Sequence, residues 1–266
     1  MRNKFMRIAA GVEYDGRAYH GWQSQKTDRT TTTTITIPTI QAHIETAFSK
    51  VANQPIQVVC AGRTDAGVHA IGQIIHFDTT VQRPDTAWIF GTNTYLPSDI
   101  GITWVRTVPN EFHARFSAIS RRYHYLIYTR SIRPSIGRHQ VTWDHRIFDL
   151  ERMNQAAAYL IGEHDFTSYR GINCQSKSAI RTIHDLVIRS QGNMIVLDIR
   201  ANAFLQHMVR NIAGVLMAIG IGEREPVWAR EVLEARDRRA GGVTAPPHGL
   251  YFVKVEYPEQ FGIPTS

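Results

Sequence analysis

Thiols are scarce in this chain: its 266 residues include two cysteines, Cys60 and Cys174. Two thiols build neither a disulfide framework nor a cysteine-rich zinc site, so a reducing, cytoplasmic setting is the expectation. Long apolar runs are missing as well. No stretch reaches the ~18 residues that a membrane-spanning helix requires. The basic start, Met1 to Arg7, leads into an alternating segment instead of an apolar signal core. Lysine is the third shortage. Lys4, Lys26, Lys50, Lys177 and Lys254 are the lysines among 30 basic residues, and the rest are arginines. Against 23 acidic residues the formal net charge is +7, with a pI near 9.6. Guanidinium groups bind phosphate as a planar fork and stack on bases. The charge therefore fits a polyanionic partner, RNA or DNA before others. Taken alone, it fits a solubilising surface equally well.

What remains is an ordinary globular composition, long enough for one large domain or two modest ones. Ile8, Ala10, Val12 and Tyr14 alternate, which predicts a strand with one buried face ending at the turn Asp15-Gly16. Thr27 to Thr39 is threonine-rich and without helical period, and reads as a surface loop or hairpin. Ile40, Ile44, Ala47, Phe48 and Val51 recur at helical spacing behind Thr39 as N-cap. Ile56 to Cys60 and Ile71 to Phe77 read as strands. A second unit is expected to start near residue 112. There Tyr123, Tyr125 and Ile127 alternate against His124, Leu126 and Tyr128. Leu150, Met153, Ala157, Leu160 and Ile161 predict a helix capped by Asp149. Leu186 to Arg189 and Ile195 to Ile199 pair around Gln191-Gly192-Asn193. Phe204 to Ile219 reads as a long apolar helix, Pro226 opens a shorter one, and Leu250 to Val255 forms a closing strand. The expectation is an α+β chain of two related units, residues 1–111 and 112–266. Each is a mostly antiparallel sheet with helices on one face, and the active-site cleft is expected between them.

One decapeptide stands out: Ala61-Gly62-Arg63-Thr64-Asp65-Ala66-Gly67-Val68-His69-Ala70. It sets one carboxylate between two glycines directly after a strand, so the backbone can turn sharply and present Asp65 to another molecule. In an arbitrary sequence such an Asp more often bonds its own loop. Further blocks accompany it. Glu13-Tyr14-Asp15-Gly16 with Gly21-Trp22-Gln23 reads as a strand end and an aromatic loop. Phe112-His113-Ala114-Arg115-Phe116 and Arg121-Arg122-Tyr123 interleave basic and aromatic groups, which suits phosphate contact plus base stacking and equally suits a half-exposed strand. Arg210 sits on an apolar helix, where a buried guanidinium needs an anionic partner. Gly249-Leu250-Tyr251-Phe252 is an apolar strand start able to line a pocket.

Together these blocks closely resemble the signature of the TruA-type tRNA pseudouridine synthases. The resemblance runs in order through Asp165-Phe166-Thr167-Ser168, Asn202-Ala203-Phe204 and Met208-Val209-Arg210-Asn211, and covers nearly the whole chain to Tyr257. It implies isomerisation of uridine to pseudouridine at positions 38, 39 and 40 in the anticodon stem-loop of tRNA, by a homodimer, with no metal and no organic cofactor. Carried over residue by residue, it implies that Asp65 is the catalytic aspartate and that Arg210 holds it ionised. It implies that Arg63 helps push the target base out, that Tyr123 packs against the flipped uracil, and that Leu250 forms an apolar wall. It implies RNA contact by Phe112, His113, Ala114, Arg115 and Phe116, and by Asn173, Cys174, Gln175, Ser176 and Lys177. One departure is a threonine-rich insertion over Thr27 to Pro38. Two other classes share some of these features. A non-catalytic RNA-binding module shares the charge and the aromatics but leaves the Asp65 turn without purpose. A carboxylate-pair hydrolase lacks its second acid at motif spacing.

Overall fold

The computed structural model describes residues 5–24 and 38–264, so the threonine-rich segment up to residue 37 lies outside the described residues. Two compact units divide the chain. The first is Met1–Ile119 with Phe252–Ser266, and the second is Ser120–Tyr251. The sequence reading places the boundary near residue 112 and leaves the C-terminus in the second unit. The structure shifts the boundary because the loop after residue 108 covers the first sheet, and because the last strand adds to that sheet.

The first unit is built on β1 (Met6–Tyr14), β2 (Val59–Cys60), β3 (His69–Thr79), β4 (Ile100–Val108) and β10 (Leu250–Glu256). Its order is β4-β1-β3-β10, with β2 also on β3. β1 runs antiparallel to both neighbours, setting Ile8 opposite Phe77 and Ala10 opposite Val105. Two helices, α1 (Ile40–Ala52) and α2 (Asp85–Tyr95), pack on the face that carries Ile8 and Phe77. Phe48 of α1 and Trp88 of α2 meet Phe77 at ring-centroid distances of 4.6 and 5.6 Å. The alternation of β1 is thus as expected, but its second face is closed too. Ala9 is fully buried, and Gly11 makes room for Trp104, whose indole would lie 2.2 Å from a Cβ there.

Only the end of the expected strand over Ile56 to Cys60 joins a ladder. The N–H groups of Ile56 and Val58 instead donate to Ser49 Oγ (2.8 Å) and Glu45 Oε1 (3.0 Å) on α1. Thr39 stands at the N-cap of α1 without capping through its hydroxyl. The carbonyls of Gly21 and Trp22 take that role by accepting the N–H groups of Ile40 (3.2 Å) and Gln41 (3.0 Å).

The second unit holds β5 (Ser120–Thr129), β6 (Thr142–Asp144), β7 (Gly162–Asp165), β8 (Ile180–Gln191) and β9 (Met194–Ala201). The order β5-β9-β8-β7 is antiparallel throughout, and β6 pairs parallel to β5. Gly192, at φ 58, makes the expected tight hairpin between β8 and β9. Tyr123, Tyr125 and Ile127 face inward against Ile199, Leu197 and Ile195. They lie beneath α3 (Leu150–Ala158), α4 (Met208–Gly220) and α5 (Trp228–Ala235). Asp149 caps α3 as expected, accepting the Arg152 N–H at 3.0 Å. Pro226 lies in the turn ahead of α5. The helix expected from Phe204 starts only at Met208, because His207 adopts φ 60 and interrupts the helical backbone.

Gly214 within α4 tests the packing of this unit. A Cβ there would sit 1.9 Å from the carbonyl oxygen of Val243. Glycine to alanine inside a helix ordinarily stabilises by up to ~1 kcal/mol. Here the overlap reverses the sign, and Gly214→Ala is expected to cost ~2 kcal/mol, lowering Tm by roughly 5 °C. A thermal melt showing a raised Tm would refute the close approach of that loop to α4.

Candidate active site

The eight residues between Cys60 and His69 form a turn held from several sides within the first unit. Ala61 N–H donates to the Ile74 carbonyl at 2.8 Å. Gln73, fully buried, clamps Gly62 by donating to its carbonyl at 2.6 Å and accepting its N–H at 3.4 Å. Val68 N–H donates to the Asp65 carbonyl at 3.2 Å, closing a β-turn whose third residue, Gly67, lies at φ 77. That conformation favours glycine. The Thr64 carbonyl accepts the Trp22 N–H at 3.0 Å, and the Thr64 and Tyr14 hydroxyls meet at 2.7 Å in a buried hydrogen bond. Burial pushes the Tyr14 phenol well above its ordinary range, so it stays protonated.

Two glycines complete the seat. A Cβ on Gly16 would fall 1.9 Å from the Val68 carbonyl oxygen, and one on Gly21 would fall 2.8 Å from that of Thr64 and 3.1 Å from the Ala66 nitrogen. Gly21 is also at φ 89. Buried His69 follows the turn, with Nδ1 accepting from Gly16 N–H at 3.2 Å and lying 3.1 Å from the Asp15 carboxylate. On this frame Asp65 is half-buried and Arg63 exposed. The blocks around Tyr14-Asp15-Gly16 and Gly21-Trp22, which read as a strand end and an aromatic loop, are the backing of the Asp65 turn. Tyr14, Gly16, Gly21, Trp22 and Gln73 thus converge on the main chain of one turn.

In the second unit the segment from Ala245 to Leu250 is bonded to Arg210 and ends on Leu250. Half-buried Arg210 donates through Nε to the Ala245 carbonyl at 2.8 Å, and Ala245 N–H returns a bond to the Arg210 carbonyl at 3.1 Å. The next carbonyl, Pro246, accepts the Tyr125 hydroxyl at 2.9 Å. Gly249 passes so close to β5 that a Cβ would meet the Leu126 carbonyl oxygen at 2.7 Å. Leu250 follows, buried at the start of β10. Tyr123 is 8% exposed and stands edge-on to Phe204 at 5.0 Å. The approach to this segment is itself pinned by a residue the sequence did not single out. Arg238 donates to the Gly242 carbonyl (3.1 Å), Asn211 Oδ1 (3.0 Å) and Thr244 Oγ1 (2.8 Å). A guanidinium three residues before a Gly-Gly pair carries no periodic signal, so pattern reading passes over it.

The expected RNA-contact segments divide. Phe112 and Ala114 have no exposed surface. Phe112 packs against Tyr257 (5.0 Å) and Phe261 (5.4 Å) as part of the first core, so its ring is not open to a ligand. Arg115 and Phe116 are exposed and His113 is half-buried. Asn173, Gln175 and Lys177 are exposed in a loop, with Cys174 and Ser176 half-buried. Among the described residues, no group of three or more His, Cys, Asp or Glu side chains is placed to hold a metal ion, and no helix is long and apolar enough to cross a membrane.

Comparison with known proteins bears on the same residues. A family model described as tRNA pseudouridine synthase matches residues 10–117 and 156–258. The first match contains the Asp65 turn with its backing, the second contains Arg210 and Leu250, and Tyr123 falls between them. The tRNA pseudouridine synthase A of Pseudomonas aeruginosa is 58% identical over 258 residues, covering 97% of this chain and 88% of that protein. Those of Alcanivorax borkumensis and Methylococcus capsulatus are each 54% identical. They cover 98% and 97% of this chain, and 94% and 92% of their own lengths. With a family model matched over most of its length and relatives more than half identical along nearly all of it, the chain belongs to the tRNA pseudouridine synthase family.

Proposed function

We propose that this chain isomerises uridine to pseudouridine at positions 38, 39 and 40 in the anticodon stem-loop of tRNA, with Asp65 as the ionised carboxylate. The observation that carries the reading is a single half-exposed acid on a turn whose main chain is locked by Tyr14, Gly16, Gly21, Trp22 and Gln73. Membership of the family supports reading that acid as the reactive group. The reading includes a homodimer working in the cytoplasm, without metal or organic cofactor.

The reaction breaks the bond between uracil N1 and ribose C1′ and forms one from C5 to the same carbon. A proton leaves C5 and one is gained at N1, so the net change is an isomerisation. The base must first leave the helix, at an unstacking cost of a few kcal/mol. Exposed Arg63 beside the turn is suited to enter the vacated space, and the face of Tyr123 to support the base. Asp65 then acts as an anion, by attack at C1′, by attack at C6, or by taking a sugar proton. Each route needs the same charged oxygen held in place. Arg210 is the cation that favours this ionised form, and Leu250 excludes water from the base.

Tritium placed at uridine C5 reports the chemistry directly, because rebonding at C5 releases the label to water. Wild-type protein is expected to release it from tRNA, and not from tRNA lacking uridine in the anticodon arm. Asp65→Asn is expected to lower the rate by at least ~10⁴-fold while tRNA affinity stays nearly intact. Appreciable turnover by that variant would remove Asp65 from the chemistry. The Tyr14–Thr64 bond gives a second test. Tyr14→Phe and Thr64→Val are each expected to lower kcat about fivefold with little change in KM, and the double variant to be no worse than either. Additive losses would show that the two hydroxyls act separately.

A further inference from the structure

The ladder between β2 and β3 ends at Cys60, which pairs with Ile75. One more main-chain bond follows, from Ala61 N–H to the Ile74 carbonyl at 2.8 Å. Gly62 and Gln73 come next in that antiparallel register, and here a side chain takes over from the main chain. The Gln73 amide donates to the Gly62 carbonyl at 2.6 Å, while its oxygen accepts Gly62 N–H at 3.4 Å and Ile74 N–H at 3.2 Å. A carboxamide carries a donor and an acceptor at one end, so it returns both bonds of a peptide residue as a neighbouring strand does. Gln73 is fully buried, and a buried amide without such partners is costly. The clamp is therefore as fixed as the strand it stands on.

Arg63 is the residue that this clamp mounts. On its other side Thr64 is held twice. Its hydroxyl lies 2.7 Å from that of Tyr14, and its carbonyl accepts the Trp22 N–H at 3.0 Å. Both chain neighbours of Arg63 are thus locked to the core. The Arg63 side chain is exposed, and among the described residues no hydrogen bond or ion pair holds its guanidinium. The outcome is a cationic tip that is free to move on a base that is not. A side chain that enters a stacked helix has to push against it, and one carried by a yielding loop gives way instead.

We infer that Gln73 is a positioning residue for Arg63, and that its clamp on Gly62 decides how well the protein takes a target uridine that is base-paired. The inference rests on the tRNA reading above and deepens it. Taking a base out of the stack costs least when the base is already unpaired. A paired target therefore needs a firmly mounted Arg63, and an unpaired one needs it less. Without the clamp the Gly62 peptide can swing, so the guanidinium keeps its reach and loses its footing. The Asp65 turn keeps its own ties at Thr64 and Val68, so the effect falls on base extrusion before chemistry.

The test uses two tRNAs labelled with tritium at C5 of one target uridine in the anticodon arm. One has adenine opposite that uridine, and the other has cytosine, which does not pair with it. Wild-type protein is expected to release the label from both. Gln73→Met keeps the volume and removes both bonds. It is expected to lower kcat/KM about thirtyfold on the paired tRNA and about threefold on the mismatched one. Gln73→Glu keeps the oxygen that accepts from Gly62 and Ile74 and loses the donor to the Gly62 carbonyl. It is expected to move the same ratio about threefold, and it decides the matter if a thermal melt shows Gln73→Met unfolded. Arg63→Ala is expected to show the same preference for the mismatched tRNA, and adding Gln73→Met to it to change the ratio less than about twofold. Equal losses on the two tRNAs in a folded variant overturn the inference, since Gln73 then supports only the fold. Unchanged rates overturn it too. A further shift of the ratio in the double variant overturns the route through Arg63. Wild-type protein that releases no label from either tRNA overturns the tRNA reading and the inference with it. Wild-type activity beside an unmoved ratio in the variants leaves that reading standing and removes Gln73 from it.

Discussion

The main chain of Thr64, Asp65 and Ala66 is fixed by close approach as much as by hydrogen bonds, and the rest of the first unit is arranged around that fact. Gly16 and Gly21 have no side chains because there is no space for them against Val68 and Thr64. A backbone held in this way has little freedom left to lose, which is where most of the advantage of a prearranged group would lie. The loop that braces the turn also starts α1, since the carbonyls of Gly21 and Trp22 take its first N–H groups. The core helix and the Asp65 turn therefore share one short piece of backbone. A change that loosened Gly21 would disturb both.

The second unit holds Arg210 with different material. Arg210 is a long side chain, and its rotamer freedom is costly to remove. Its Nε is tied to the Ala245 carbonyl, and the loop that leads to this carbonyl is tied down by Arg238, Asn211 and Thr244. The outer face of that unit's sheet shows the same economy. Burial alone would raise the Asp198 carboxyl, but hydrogen bonds from Arg122 and the charges of His124, Arg122 and Arg189 overcome it and hold the carboxyl below the ordinary range. Arg122 meets this carboxylate through two bonds, of 2.6 and 2.8 Å. Such a pair contributes through fixed geometry more than through net energy.

Much of this was legible in the sequence where one face of an element is buried. The alternation over β1 and β5, the period of α1 and the cap of α3 follow from apolar spacing and one aspartate. The candidate site was read at the Asp65 turn from the resemblance of its whole decapeptide, since two glycines around an acid more often mark an ordinary loop. It was not legible at Tyr14, Gly16 and Gln73, whose function is to touch a turn some fifty residues away or across a strand. α2 was missed because Asp85–Tyr95 has little apolar periodicity and carries Gly91, which sits against Val51. The helix start at His207 was missed because a positive φ on a non-glycine residue leaves no mark in composition. The boundary near residue 112 was placed early because Phe112 to Phe116 reads as the opening of a new strand, whereas it is the cover of the old sheet.

That same segment shows why a motif is not a list of functional residues. Phe112 and Ala114 are two residues apart and both point inward, filling the space over β1 and β3. His113 lies between them, half-exposed, and Phe116 falls outside. The buried pair fixes the backbone, the backbone N–H groups need acceptors, and His76 and His113 supply them. The exposed ring is the last consequence of that chain of needs. Buried and exposed rings are thus carried by neighbouring residues of one pentapeptide, and its spacing reflects the demands of core packing.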